Sequence, residues 1–173
     1  MDLLQVRLRP FAEPDLEVFD RFAVDPALSE PFEWVGFTPP GGYRKRWEQD
    51  GLLGSAPYCL AVVTIDDNAI AGWVDWRETA RPGSGAWEIG VLIVPEMRGR
   101  GVGAAAQRLL VEYLFSTTTA FRIWAATMAS ARRGRRVSRL LTAMAPASSG
   151  VSQRANDGNI ISPRRRRQSW PPP

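Results

Sequence analysis

The hydrophobic positions of the chain follow strand-like and helix-like periods up to residue 127. Apolar runs and apolar residues at every second position predict strands, whereas apolar spacings of three and four predict helices. On this basis we predict strands at 5–9, 58–65, 69–77, 86–94 and 121–126, and helices at 14–23, 43–50 and from 102 onward. The turn Asp66-Asp67-Asn68 should join the second and third strands as a hairpin.

A glycine-rich turn between a strand and a helix is the most informative feature of this pattern. The apolar strand 86–94 ends at Pro95, and Arg98-Gly99-Arg100-Gly101-Val102-Gly103 follows it. The helix that begins there has its apolar residues on one face, namely Val102, Ala106, Leu109, Leu110, Tyr113 and Leu114.

Such a turn is suited to binding an anion. The first turn of a helix has backbone N–H groups without intrahelical acceptors and the positive end of the helix dipole. Glycines allow close approach of phosphate oxygens, and the guanidinium groups of Arg98 and Arg100 can each donate two hydrogen bonds to a phosphate. We therefore predict a pyrophosphate or polyphosphate ligand. The alternative is that the glycines serve packing only and both arginines lie in solvent.

The turn also resembles a known signature. Residues 98–103 match the R/Q-x-x-G-x-G/A motif of the GNAT superfamily of acetyl-CoA-dependent N-acetyltransferases, and V-L-I-V-P-E-M before it resembles that family's fourth strand. The resemblance covers residues 4–127 and implies an α+β fold with a mixed, mostly antiparallel sheet flanked by helices. Within the superfamily, V-R-L-R-P-F and the motif region are most similar to the ribosomal-protein N-terminal acetyltransferases.

The resemblance implies roles for particular residues. Backbone amides from Arg98 to Gly103 would bind the CoA pyrophosphate, and the strand end at Leu92, Ile93 and Val94 would pair with the pantetheine arm as an added strand does. The amide of Val94 would donate to the thioester oxygen, and Glu88 would act as the base. The cofactor set is thus Leu92, Ile93, Val94, Arg98, Gly99, Arg100, Gly101, Val102 and Gly103, with acetyl-CoA as co-substrate.

The implied reaction is direct transfer of acetyl to a primary amine, either a protein N-terminus or a small molecule. The family's catalytic tyrosine has no counterpart, because no tyrosine follows Tyr113. An alternative is therefore a domain that binds CoA without catalysis. A dinucleotide site is a weaker alternative, since residues 101–106 fit G-x-G-x-x-G/A but do not follow the strand directly, and 121–127 contains no acidic residue.

The composition changes abruptly after residue 127. Residues 1–127 carry a net charge of −5, whereas 128–173 carry +9 and are rich in Arg, Pro and Ser. We interpret 1–127 as the acetyltransferase-like core and 128–173 as a poorly ordered tail, with a short helix within 137–145. The composition fits a GC-rich gene read in a shifted frame, so we hypothesise a frameshift near 127–130. The competing hypothesis is a natural tail with weak, nonspecific nucleic-acid binding.

The rest of the composition limits the classes of function. The chain has no histidine, which excludes a Ser-His-Asp or Cys-His site and argues against a metal site. The lone Cys59 lies in an apolar strand and is expected to be buried. Without a long apolar run or a signal-peptide pattern, we expect a cytoplasmic protein that does not bind membranes. A homodimer is compatible with the sequence.

Overall fold

The structure is a computed structural model that describes residues 4–30, 36–79, 83–125 and 141–144, the last of these for the backbone only. Its strands are β1 (Val6–Arg9), β2 (Tyr58–Thr64), β3 (Ile70–Glu78), β4 (Ala86–Ile93), β5 (Arg122–Ala125) and β6 (Leu141–Met144). Its α-helices are α1 (Glu17–Val24), α2 (Gly42–Asp50) and α3 (Val102–Thr117). Short 3₁₀ helices span Glu13–Leu16, Pro26–Ser29 and Pro95–Met97.

One sheet contains all the described strands in the order β1-β2-β3-β4-β5-β6. Every pair of neighbours is antiparallel except β4 and β5, which are parallel because α3 connects them as a crossover. The predicted α+β fold with a mixed, mostly antiparallel sheet is confirmed. This order differs from the doubly wound parallel sheet that a dinucleotide-binding domain requires.

The two faces of the sheet are covered by different helices. On one face, α3 buries Leu110 and Leu114 completely against strand residues such as Val74 and Ile89. On the other face, α1 places Phe19 and Phe22 against Trp73 of β3, with ring centroids 4.9 and 5.2 Å apart, respectively. We call this second side the α1–α2 face. Successive side chains of a strand point to opposite faces of the sheet, so alternate residues of β3 and β4 lie on the side of α3 and on the α1–α2 face.

The strands β4 and β5 pair over only part of their length. Their register joins Ala86 with Arg122 and Glu88 with Trp124. Beyond this point, residues 89–93 have no strand partner on the β5 side within the described ranges. We call residues 89–93 on that side the open edge of β4. Separation of these two strands leaves main-chain groups of a central strand uncovered.

The strand β6 corrects the prediction of a short helix within 137–145. Leu141–Met144 pairs antiparallel with β5, joining Arg122 with Met144 and Ala125 with Leu141. The other residues of the predicted helix lie outside the described part of the chain. The helical spacing of the apolar residues misled the prediction because the unpaired backbone of β5 offers hydrogen bonds to a strand, and tertiary pairing outweighs local propensity. The strand β6 thereby covers the edge of β5 that faces away from β4.

Candidate active site

A cavity of about 450 Å³ lies between the end of β4 and the start of α3. Of the nine predicted cofactor residues, all except Val94 and Arg100 line it. Ser29, Val91, Met97 and Ala104 also line it and were not predicted. Its volume is in the range of small-molecule sites, which is roughly 300–1,000 Å³. The structure thus brings the glycine-rich turn and the strand end together around one space.

The start of α3 presents unpaired backbone donors to this cavity. The cap residue Gly101 has φ 77° and ψ −3°, a left-handed conformation that glycine adopts without strain. The first bond within the helix runs from the amide of Ala105 to the carbonyl of Gly101 at 3.1 Å. The preceding amides, including those of Val102 and Gly103, have no helical acceptor. Such amides, together with the helix dipole, are the groups that bind anions at helix starts, and the anion site at this position stays a prediction.

The space beside Gly103 would accommodate a side chain larger than that of glycine. A Cβ added there would lie 3.6 Å from Cγ1 of Ile93, an ordinary contact, and would meet nothing else within 4 Å. The backbone of Gly103 is also not in a conformation reserved for glycine, because its φ is not positive. Internal packing therefore does not explain why glycine is present, whereas a ligand occupying the cavity would.

The guanidinium of Arg98, which was predicted to bind phosphate, is hydrogen-bonded to the main chain of the protein itself. Its Nε donates to the carbonyl of Ile93 at 2.8 Å, and its two terminal nitrogens donate to the carbonyls of Leu28 and Glu30. Its backbone amide donates to the carbonyl of Pro95 at 3.2 Å. The guanidinium therefore connects the segment after α1 to the end of β4. The sequence could not show this, because two of the acceptors are main-chain oxygens about 70 residues earlier.

Arg100 remains available to an anion in the described structure. It does not line the cavity, and its guanidinium contacts the sulfur of Met97 at 3.6 Å, a weak interaction at an exposed position. A long side chain at the rim can swing toward a bound phosphate at the cost of rotamer entropy only. Arg100 is thus the better candidate of the two predicted arginines.

The register of β4 decides which of its backbone groups face the cavity. The amide of Val94 donates to the carbonyl of Ala71 at 3.0 Å, and Leu92 is paired with Trp73 in the same register. In an antiparallel ladder, hydrogen-bonding groups alternate between the two sides of a strand. The main-chain groups of Leu92 and Val94 therefore point to β3, and those of Val91 and Ile93 point to the open edge.

This register corrects two predicted roles. Val94 cannot donate to a thioester oxygen, since its amide is bonded to β3 and the residue is only 4 % exposed. The main-chain groups directed to the open edge, where a pantetheine arm is predicted to pair, are those of Val91 and Ile93, and the carbonyl of Ile93 already accepts from Arg98. The amides of Val91 and Ile93 are the remaining candidates for the oxygen donor. The two-residue alternation of the strand could have identified Val91 once the pairing with β3 was known.

Glu88 lies where β5 separates from β4, on the side of the sheet that carries α1 and α2. Its Oε2 accepts from Arg77 on β3, with nitrogen to oxygen distances of 2.9 Å for both Nε and Nη2. The side chain of Glu88 is 23 % exposed and that of Arg77 is 59 % exposed. The predicted base therefore has one oxygen held in an ion pair, and its other oxygen has no hydrogen bond in the part of the chain described.

A second carboxylate, that of Asp75, was missed by the sequence analysis. Asp75 lies on β3 opposite Gly90, and a Cβ on that glycine would be 2.6 and 2.8 Å from the two carboxylate oxygens. Burial raises the pKa of Asp75, Arg77 opposes this shift, and Glu88 adds to it. Among the described residues, Asp75 has neither a hydrogen bond nor an ion pair. Its only signal in the sequence is an acidic residue within an otherwise apolar strand.

Two further titratable side chains surround Asp75 on the α1–α2 face. Burial raises the pKa of Cys59 to about 12, and the charge of Asp75 adds to the shift. Burial also raises the pKa of Tyr43, to which Cys59 and Asp75 contribute in turn. The prediction of a buried thiol is confirmed, because Cys59 is 1 % exposed.

Comparison with protein families gives the chain its assignment. The sequence model described as an acetyltransferase (GNAT) domain matches residues 5–141. The chain belongs to the GNAT acetyltransferase family. The family uses acetyl-CoA as its acyl donor, so the predicted co-substrate is confirmed. The match extends past residue 127, where the visible resemblance to the motif pattern ended.

Solved structures agree with the fold. An acetyltransferase (GNAT family) from Bacillus anthracis has a TM-score of 0.57 and 19% identity, with 73% of this chain and 72% of that chain covered. Spermidine N-acetyltransferase from Vibrio cholerae, in complex with CoA and spermine, has a TM-score of 0.59 and 17% identity, with 72% of each chain covered. A GCN5-related N-acetyltransferase from Brucella melitensis has a TM-score of 0.52 and 24% identity, with 76% of this chain and 61% of that chain covered.

No curated protein sequence matches the chain. In the described ranges, no helix is long and apolar enough to cross a bilayer.

Proposed function

We propose that this chain transfers an acetyl group from acetyl-CoA to a primary amine by direct attack in a ternary complex. The observation that carries the proposal is that two sets of unpaired main-chain groups border the same cavity. Unpaired amides at the start of α3 and unpaired main-chain groups on the open edge of β4 both border it. A diphosphate followed by an extended amide-containing arm is the kind of ligand that matches this arrangement.

Each half of the site has a distinct task in this proposal. The amides of Val102 and Gly103 hold the diphosphate, with Arg100 at the rim. Acetyl-CoA supplies the acetyl group as a thioester. The amides of Val91 and Ile93 are directed to the open edge, where one of them can stabilise negative charge on the thioester oxygen. A carboxylate on the α1–α2 face accepts a proton from the amine, and Glu88 is the candidate that the sequence indicates.

A thiol-release assay tests the proposal directly. The purified chain is incubated with acetyl-CoA and a panel of polyamines, amino sugars and short peptides with free N-termini. We expect release of free CoA to depend on one class of amine and to give an acetylated product of the corresponding mass. Calorimetry with CoA and with NAD serves as the binding control. Binding of NAD but not of CoA would refute the proposal.

A CoA-binding domain without catalysis is the second candidate, and one observation favours it. All three tyrosines of the chain, Tyr43, Tyr58 and Tyr113, lie in the described ranges, and none lines the cavity. No tyrosine is therefore placed to protonate the leaving thiolate, which removes one source of general-acid catalysis. Micromolar CoA binding together with the absence of thiol release for every amine would favour this function.

The finer assignments from the sequence stay predictions. They are membership of the ribosomal-protein branch, cytoplasmic location, a homodimer and weak nucleic-acid binding by the tail. The comparisons give no support to the branch or to the frameshift. Acetylation of a ribosomal-protein N-terminal peptide in preference to polyamines would support the branch. The acetyltransferases that the chain resembles carry a Gly-Phe pair before their final strands, and a gene sequence with no alternative frame encoding such a pair would reject the frameshift near 127–130.

A further inference from the structure

We propose that Asp75 receives the acceptor amine, binding its ammonium group and taking the proton that the nitrogen must lose before attack. The inference rests on the proposed acetyl transfer and assigns to it a catalytic residue on β3, a different strand from that of Glu88. It follows from the position of Asp75, its lack of a partner, and the charge of its surroundings.

The position of Asp75 places a carboxylate over the backbone of β4, on the α1–α2 face of the sheet. Its partner across the ladder is Gly90, and the two carboxylate oxygens lie where a side chain at that position would begin. The next residue along β4, Val91, lines the cofactor cavity. Absence of a side chain at Gly90 therefore lets the carboxylate lie over the backbone of β4, one residue from the proposed thioester site.

The partners of the two carboxylates distinguish their roles. Glu88 is bonded to Arg77 by two nitrogens, so an approaching cation must compete with a guanidinium. Asp75 has no such partner in the described part of the chain. An ionised carboxylate that is partly buried and has no hydrogen-bonded partner carries a desolvation cost, and an acceptor ammonium would relieve this cost. The site is thus complementary to a cation that arrives with the substrate.

The charged and titratable groups around Asp75 come from each neighbouring element. They are Tyr43 and Arg46 on α2, Cys59 on β2, Arg77 on β3 and Glu88 on β4. Arg46 is committed elsewhere, because it donates to the carbonyls of Ser55 and Pro57 at 3.1 and 2.8 Å. Burial makes Asp75 a stronger base than an exposed carboxylate, which suits proton transfer from an ammonium group.

The protons and bonds of the reaction balance with Asp75 in this role. The ammonium group gives one proton to the carboxylate of Asp75, and the neutral nitrogen forms a bond to the thioester carbon. The bond from that carbon to sulfur breaks, and the leaving sulfur takes the second proton that the nitrogen releases. Asp75 returns its proton to solvent, so each turnover yields an amide, a free thiol and one proton.

The variant Asp75→Asn tests the proposal, with Glu88→Gln as the matched control. We expect D75N to lower kcat/KM for the best amine of the panel about 100-fold or more. E88Q should lower it less than D75N does, and both variants should keep the wild-type Kd for CoA. D75N should also remove the acidic limb of the pH profile of kcat/KM, a change that a purely structural role would not produce.

A second variant, Gly90→Ala, tests the position of the Asp75 carboxylate separately from its charge. Its Cβ would displace the carboxylate of Asp75 without removing it, so the acidic limb should remain while kcat falls. Folding of D75N is checked by its melting temperature. The pKa of Asp75 is raised on folding, so its ionised form destabilises the protein at neutral pH, and we expect D75N to melt no lower than wild type at pH 7.

The outcomes separate this inference from the proposed function. An active wild type with unchanged kcat/KM and pH profile in D75N would overturn the role of Asp75 alone. A wild type that releases no thiol with any amine would overturn both. Loss of the acidic limb in E88Q but not in D75N would return the role to Glu88.

Discussion

The substitution Gly103→Ala should change stability and cofactor affinity in opposite directions. Gly103 lies in the first turn of α3 with a conformation that alanine adopts, and the new methyl group would meet only Ile93, at 3.6 Å. Alanine is favoured over glycine within a helix by roughly 0.5–1 kcal/mol. For a chain of this size, this should raise the melting temperature by roughly 1–4 °C.

The same methyl group projects into the cavity where we place the diphosphate. It would push phosphate oxygens away from the amides at the helix start, and a charged hydrogen bond is worth about 1.5–3 kcal/mol. Loss of one such bond weakens CoA binding roughly 10- to 150-fold. Calorimetry gives the Kd, and scanning calorimetry of the free protein gives the melting temperature.

The matched control is Gly42→Ala in the first turn of α2. An added Cβ there meets nothing within 4 Å, and the residue does not line the cavity. This variant should keep the wild-type Kd for CoA. If G103A binds CoA as tightly as wild type while G42A does too, the diphosphate does not lie over the start of α3, and the assignment of this cavity is wrong.

Other contacts give three further predictions. Arg98→Met removes three donors to main-chain carbonyls. It should lower the free energy of unfolding, measured in urea, by about 1.5–3 kcal/mol or more. An unchanged free energy of unfolding would show that water replaces these contacts. Gly72→Ala would place a Cβ 2.0 Å from the carbonyl oxygen of Leu92. It should therefore lower the melting temperature well below that of G42A. Equal melting temperatures of the two variants would refute the close approach. Cys59, 1 % exposed and with a pKa of about 12, should react with a disulfide reagent at pH 8 only after unfolding, and rapid labelling of the folded chain would contradict its burial.

Most of the fold could be predicted because its strands and helices have clear periods. The strand at 58–65 is observed as Tyr58–Thr64, and the strand at 86–94 as Ala86–Ile93. The segment Leu141–Met144 could not be predicted in the same way, since four residues carry too little pattern to distinguish a strand from a helix. Its conformation depends on the free edge of β5, which is a property of the assembled sheet.

The site was predicted less completely, because its motif names residues but not the directions of their groups. The glycines at 101 and 103 do border the cavity, as a turn opening a helix requires. The guanidinium of Arg98 and the amide of Val94 were assigned to the cofactor, whereas both donate to main-chain carbonyls of segments that are distant in the sequence. Asp75 was missed for the same reason, since only the pairing of β3 with β4 brings it beside Gly90.

In the proposed reaction, the cofactor and the acceptor amine are bound by different parts of the sheet. The predicted cofactor cavity is lined mainly by apolar side chains and glycines, so the described residues around it say little about the acceptor. On the α1–α2 face, by contrast, side chains such as Tyr43, Asp75 and Glu88 supply the polar groups. In the proposed reaction, we expect selectivity among amines to arise on this face, because only side chains differ in charge and shape from one chain of this fold to another. A change of acceptor class should consequently follow from substitutions on α2 and β3 that alter KM for the amine and leave the Kd for CoA unchanged.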